Sequence, residues 1–270
     1  MNVGIIGYGS MGKMLLHKML DAGTVEGKKL FAANRTFEKL LPLSGVVNLC
    51  KSNAELAAAC DTVFVCVHPG DVKPVLQEIA PVLKKDVLLV SLNGNIPFAL
   101  LNKIADCKTA ILIPSVTAEV NESQSLVAYN GQVNAEDKAL LTRLLECMGD
   151  VIELDEEEIG VGSEIASCMP GFIAAIFDVM RTSVRPHTNL PDELVIRVLL
   201  KTLMGTGRLM LEQGLTFDQV VTRVATPGGI TEEGVKVIRE KLPTVTDEIF
   251  EKTLKKRALT TEKARESFKD

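Results

Sequence analysis

Short apolar runs recur along the first half of the chain, at 3–6, 29–33, 46–48, 62–67, 86–92, 108–113, 123–129 and 151–154. Runs of this length, closed by glycine, proline or polar residues, read as buried strands. Between them the apolar positions repeat every three or four residues. Met11, Met14, Leu15, Met19 and Ala22 make one such face, and Gly23 is placed to stop that helix. Further helices are predicted over 52–59, with Ser52 as its cap, and over 71–83, 97–104 and 135–147. Strand and helix alternate with connections of a few residues, which is the pattern of a doubly wound, mostly parallel sheet.

The pattern changes near residue 160, where long helical periods replace strands. Residues 164–181 are apolar nearly all round, through Ile165, Phe172, Ile173, Ile176, Phe177 and Met180. A helix of that kind is buried, and in a small helical domain it calls for a second chain to cover it. A long helix over 192–213 stops at Gly214, Thr216 caps a shorter one to 224, and another is predicted over 232–241. Pro243 is expected to break the chain before a last amphipathic helix that ends near 268. The predicted fold class is therefore α/β, with a doubly wound Rossmann-type domain over 1–158 followed by an all-α domain over 159–270 that serves dimerisation.

Composition narrows the function classes. The 270 residues carry a net charge of −5, which argues against nonspecific binding of nucleic acid. Trp is absent and Tyr occurs twice, so no aromatic stacking platform is expected. The six cysteines form no CxxC pair and read as small buried hydrophobes of a reducing compartment. Asp155-Glu156-Glu157-Glu158 reads as a solvated helix cap and not as a metal site, so no metal is expected. His17 reads as a surface residue on the polar side of its helix. With no basic leader and no apolar run long enough to cross a bilayer, the expectation is a cytoplasmic protein without a membrane partner.

The candidate chemistry begins where the first strand ends, at Gly7-Tyr8-Gly9-Ser10-Met11-Gly12. Strand, glycine turn and helix in that order suit a dinucleotide. Gly7 serves the tight turn, Gly9 the approach of a pyrophosphate, and Gly12 the packing of helix on strand. The helix N-terminus offers free amides and a partial positive charge. After the second strand come Asn34-Arg35-Thr36, with no acidic residue between Lys28 and Phe37 to take a ribose hydroxyl. Arg35 and Thr36 suit a 2′-phosphate, so NADPH is expected in preference to NADH. The alternative is a polar loop with an incidental arginine. Val67-His68-Pro69, Asn93 and Pro114 fall at the same sheet edge. His68 reads equally as a cofactor contact and as an ordinary loop histidine.

Several of these pieces together resemble the pyrroline-5-carboxylate reductases, and the resemblance spans nearly the whole chain. Gly7 to Gly12 and Asn34-Arg35-Thr36 look like that family's cofactor turn and NADPH loop. Val67-His68-Pro69 is similar to its Val-Lys-Pro loop, with His in place of Lys. Thr226-Pro227-Gly228-Gly229-Ile230-Thr231 is similar to its Ser-Pro-Gly-Gly-Thr-Thr signature. The resemblance implies that this turn holds a substrate carboxylate through Thr231 and the Gly228 and Gly229 amides. Two glycines before a helix N-terminus fit that role. On the residues alone the same turn also reads as a helix cap.

The resemblance implies NADPH-dependent reduction of a cyclic imine, 1-pyrroline-5-carboxylate to L-proline, by a homodimer or higher homo-oligomer. Thr231, Ser115 and Cys168 are then the candidate catalytic contacts, with Met169 and Pro170 lining the substrate side. The chain departs from the family at Ile113-Pro114-Ser115-Val116-Thr117 and at Ala166-Ser167-Cys168-Met169-Pro170-Gly171-Phe172. In places it is closer to divergent ComER-type late-competence paralogues. A nucleotide-binding regulatory protein, or a reductase of a different small imine or carbonyl acid, is the alternative. A β-hydroxyacid dehydrogenase shares the glycine start, but its catalytic lysine motif does not occur here.

Overall fold

A computed structural model describes residues 1–269. The strands are β1 (Val3–Ile6), β2 (Leu30–Ala33), β3 (Asn48–Cys50), β4 (Thr62–Val65), β5 (Leu88–Ser91), β6 (Lys108–Ile113), β7 (Ser123–Tyr129) and β8 (Gly149–Glu153). The helices are α1 (Ser10–Asp21), α2 (Asn53–Ala59), α3 (Pro69–Ile79), α4 (Phe98–Leu101), α5 (Ala135–Leu145), α6 (Ile159–Ser163), α7 (Met169–Val184), α8 (Asp192–Gln213), α9 (Phe217–Val224) and α10 (Ile230–Ser267). The chain divides into two compact units. One holds Met1–Pro170 with the chain from Leu254 on, and the other holds Gly171–Thr253. The division expected at 158/159 therefore falls inside the first unit, which also takes the end of α10.

The sheet of the first unit runs β3-β2-β1-β4-β5-β6-β7-β8. The first six strands are parallel, β7 is antiparallel to β6, and β8 is parallel to β7. The parallel part has the strand order of dinucleotide-binding sheets, which reverses direction between β1 and β4. Side chains alternate between two cores. Ile6, Val63, Val65, Leu89, Ile111 and Ile113 face one, while Val3, Ile5, Phe64, Leu88, Val90 and Leu112 face the other. Burial on both faces is why these strands read as continuous apolar runs and not as alternating ones. Ala264 and Phe268, near the end of α10, pack on the first core.

Several boundaries differ from the sequence reading for identifiable reasons. The third strand lies at Asn48–Cys50, two residues later than expected, because Asn48 Nδ2 ties back to the carbonyls of Lys28 and Leu30 at 2.8 and 3.0 Å. The helix expected from 71 starts at Pro69, whose missing N–H costs nothing in a first turn, and gives way to a 3₁₀ turn after Ile79. The acidic run does cap a helix, but a distant one: Glu156 Oε1 accepts from Phe98 N at 2.7 Å and closes the start of α4. Pro243 does not break the chain. It sits inside the single helix α10, where it removes one ladder bond on an exposed stretch.

The apolar helix expected over 164–181 is a longer run: α6, a π-helical stretch over Glu164–Cys168, then α7. Pro170 has no amide to give the carbonyl four residues back, and the widened turn lies just before it. Glu156–His187 is long and apolar enough to cross a bilayer by length and composition, against the expectation that no run is, and 22% of its most apolar window is buried. The second unit is helical throughout. α7 has no buried residue, and Val179, Met180, Ile196, Val198, Leu200 and Met204 are exposed. The burial expected for this helix is therefore not supplied by the single chain. Gly214 stops α8 in the left-handed region, and Thr216 and Gln219 close a capping box on α9, both as expected.

Candidate active site

The cofactor turn is built from the ends of β1, β2 and β4. Gly7 has φ +95°, and a side chain there would meet the Cys66 carbonyl at 2.6 Å. A Cβ on Gly12 would lie 2.0 Å from the Gly7 carbonyl oxygen, so only glycine lets α1 start this close to the turn. Gly9 is different: a Cβ there would meet nothing within 4 Å. It stands before α1, whose N-terminus has no side-chain cap and no acidic residue in its first turn. The first-turn amides of Ser10, Met11 and Gly12 have no intrahelical partner and lie at the positive end of a helix beside the open space at Gly9, which suits an anion.

Asn34 fixes this turn in place. Its Oδ1 accepts from Tyr8 N at 2.9 Å, and its Nδ2 donates to the Thr36 carbonyl at 2.8 Å. Gly7 N donates to the Ala33 carbonyl at 2.9 Å. Asn34 thus holds the turn with both ends of its amide. Arg35 and Thr36, beside it, are exposed. The Arg35 guanidinium lies 3.9 Å from the Asp71 carboxylate in the first turn of α3, an exposed pair that contributes little to stability. His17 is half-buried, not a free surface residue: its Nε2 is 2.8 Å from the Tyr8 hydroxyl. Burial raises the Tyr8 hydroxyl's pKa.

The next loops close the same sheet edge. Asn93 is buried, and its Nδ2 donates to the Val67 carbonyl at 3.1 Å, joining the loops after β4 and β5. His68 is exposed just before Pro69 opens α3, and it makes no capping bond. Pro114 is buried. Ser115, expected as a catalytic contact, is 1% exposed: its amide donates to Ser123 Oγ at 3.2 Å, and its Oγ accepts from Thr117 N at 3.4 Å. That hydroxyl closes a turn and is turned away from solvent.

The stretch leading to Cys168, Met169 and Pro170 contains a group that its apolar setting conceals. Glu164 is 2% exposed. Its Oε1 accepts from Arg257 Nε and Nη2 at 3.1 and 2.9 Å, while Oε2 has no hydrogen-bond partner among the described residues. Arg257 also donates to Ser163 Oγ at 3.0 Å and to Asn95 Oδ1 at 3.2 Å, so it links the π-helical stretch to the loop after β5. Cys168, Met169 and Pro170 are half-buried. The Cys168 thiol is pushed up by burial and then by the Glu164 charge, so it stays protonated. Cys50 and Cys60 are buried as expected, with thiols raised to about 11 and about 12 by desolvation, and all six cysteines are free.

In the second unit, Thr226 to Gly229 form a tight turn that leads into α10 at Ile230. Gly228 has φ +74°. Neither glycine amide is open: Gly229 N donates to the Thr226 carbonyl at 2.8 Å, and Gly228 N donates to Glu232 Oε2 at 2.8 Å. A carboxylate arriving at this turn therefore meets both glycine amides already engaged, one of them by the Glu232 side chain. The first-turn amides of α10, Ile230 and Thr231, have no intrahelical partner by geometry, and Thr231 and Ile230 are exposed. Gly228, Gly229 and Thr231 belong to this unit, and the other candidate residues belong to the first.

Comparison with known proteins adds to this geometry. A family model described as NADP oxidoreductase, coenzyme F420-dependent, matches residues 2–95, and one described as pyrroline-5-carboxylate reductase dimerisation matches residues 156–259. The chain is similar to pyrroline-5-carboxylate reductase 3 of Bacillus subtilis (strain 168), at 35% identity over 263 residues, covering 96% of this chain and 97% of that one. It is also similar to ComE operon protein 4 of the same organism, at 26% identity over 94% of each chain. Among solved structures, Plasmodium falciparum pyrroline carboxylate reductase with NADP bound has the same fold, with a TM-score of 0.81, 22% identity, and 99% of this chain and 98% of that one covered.

Proposed function

The chain belongs to the pyrroline-5-carboxylate reductase family, and on that premise we propose that it reduces 1-pyrroline-5-carboxylate to L-proline with NADPH. It is an NADP-dependent oxidoreductase of that type. The observation that carries the cofactor half is the uncapped start of α1 with open space at Gly9. The residues fit a dinucleotide phosphate. Ser10, Met11 and Gly12 amides take the pyrophosphate, and Arg35 with Thr36 takes the 2′-phosphate. Tyr8, Asn34, Val67, His68, Pro69, Asn93 and Pro114 frame or support that edge. When bound, the reduced nicotinamide supplies a hydride.

The chain's own task is to orient the imine and neutralise its carboxylate. We assign the carboxylate to the Thr231 hydroxyl, the first amides of α10 and the Gly228 amide, which Glu232 holds in the unliganded chain. Cys168, Met169 and Pro170 are assigned to the ring side, with Cys168 as a neutral thiol. An iminium carbon is already electrophilic, so no strong acid is required of the protein. We also assign the exposed apolar side chains of α7 and α8 to a homodimer or larger homo-oligomer, in keeping with the match to a dimerisation model.

The test is NADPH oxidation on adding the pyrroline to purified protein. Turnover with proline as product is expected. NADPH binding without turnover across a broad pH range would overturn the reductase reading. It would favour a nucleotide-binding regulatory protein, a reading supported by the likeness to ComE operon protein 4 and by the withdrawn Ser115 hydroxyl.

A further inference from the structure

The turn before α10 already carries a carboxylate of its own. Glu232 reaches back from the first turn of the helix, and its Oε2 accepts from Gly228 N at 2.8 Å. Gly228 holds φ +74°, and its amide has a single hydrogen to give. Two carboxylates cannot share that hydrogen, and their like charges oppose each other at this range. Glu232 also has a second place to rest: Lys236 Nζ lies 3.5 Å from the same oxygen, on the solvent side of the helix. The side chain can therefore leave the amide without losing every partner.

We propose that Glu232 is a specificity-determining residue of the carboxylate turn, a built-in competitor that a substrate carboxylate must displace from the Gly228 amide. This rests on reading the turn as the carboxylate site. It adds that the site is tuned against weak anions, because only a ligand that also gains Thr231 and the α10 amides outbids a side chain already in place. It also accounts for the occupied glycine amide, which the sequence motif alone leaves free.

The experiment uses Glu232→Gln, which keeps the shape and an acceptor oxygen but removes the charge, with Glu233→Gln as a control. Glu233 pairs with Lys236 at 2.8 Å and does not touch the turn. Tetrahydrofuran-2-carboxylate, a saturated ring acid, is titrated into the full-length protein with NADPH present. Glu232→Gln is expected to bind the probe about fivefold tighter than wild type, and Glu233→Gln to stay within about twofold. A residue that only shaped the turn would give the opposite sign, weaker binding on substitution. Equal or weaker binding by Glu232→Gln, or no binding of the probe to either protein, overturns the proposal. Turnover is scored separately. Tighter probe binding by Glu232→Gln without pyrroline reduction upholds the role of Glu232 and sinks the reductase reading, and reduction with unchanged probe binding does the reverse.

Discussion

Two glycine turns in this chain lead into helices, and they are built in opposite ways. The turn before α1 has no side-chain cap and no acid in the first helical turn, and its middle glycine faces open space. The turn before α10 has Glu232 and Glu233 in the first helical turn, and one of its glycine amides is held by Glu232. The motif alone makes them look alike: glycines, then a helix start, then an anion. The difference lies in what the following three residues supply. Ser10-Met11-Gly12 offers nothing that can reach back, whereas Thr231-Glu232-Glu233 offers a carboxylate at the right distance. An open helix N-terminus is a binding site at rest, and one closed by its own acid binds by exchange.

The comparison breaks most sharply at Gly12. Gly12→Val would place its Cβ 2.0 Å from the Gly7 carbonyl oxygen, far inside contact distance. The turn must open, and NADPH affinity is expected to fall by more than about 100-fold, with a loss of stability of about 1–3 kcal/mol. Gly9→Val separates the two effects, because a Cβ added there meets no protein atom within 4 Å. It should cost NADPH affinity while leaving Tm nearly unchanged. Fluorescence titration with NADPH and thermal melts read both. A Gly9 variant that binds NADPH like wild type would remove the pyrophosphate from this turn.

The second turn is tested at Thr231, whose hydroxyl is exposed. Thr231→Ala should lower kcat/KM for the pyrroline carboxylate by about 10- to 100-fold, the range for a hydrogen bond to a charged group. NADPH affinity should not move. Wild-type kinetics in the variant would take the carboxylate away from α10. Arg35 gives the next effect in size. Arg35→Ala is expected to shrink the preference for NADPH over NADH about tenfold, measured as the ratio of kcat/KM values. Its only ionic partner among the described residues, Asp71, is 3.9 Å away and exposed, so Tm should hold.

The fold was largely legible because its strands are buried on both faces and therefore stand out as apolar runs, as at 62–65 and 108–113. The cofactor turn was legible for a related reason: Gly7 and Gly12 are required by backbone contacts local to the motif. What stayed hidden depends on distant partners. Ser115 reads as an available hydroxyl until Thr117 and Ser123 are seen to enclose it. Glu164 sits in an apolar helix, and its partner Arg257 is 93 residues away. Pro243 reads as a break because a proline's local cost is visible in sequence, while the continuity of the helix around it is not. Glu232 lay within reach of inference, since an acid three residues into a helix is a known back-capping position.

The smallest effect tests the resting state of the second turn directly. The Glu232 carboxyl is held below the usual carboxylate range, first by the Gly228 amide and then by Lys236. A lowered folded-state value means that the contact stabilises the turn above the ordinary carboxylate pKa and is lost as pH falls through the folded one. The Gly228 amide signal in an NMR titration should therefore shift upon acidification with a midpoint below that of a free glutamate. In Glu232→Gln this transition should vanish, while the Gly9 and Ser10 amides of the first turn, which have no acid nearby in the sequence, should show no such step in either protein. A Gly228 amide that ignores pH would mean that Glu232 does not hold it in solution, and the two turns would then be alike after all.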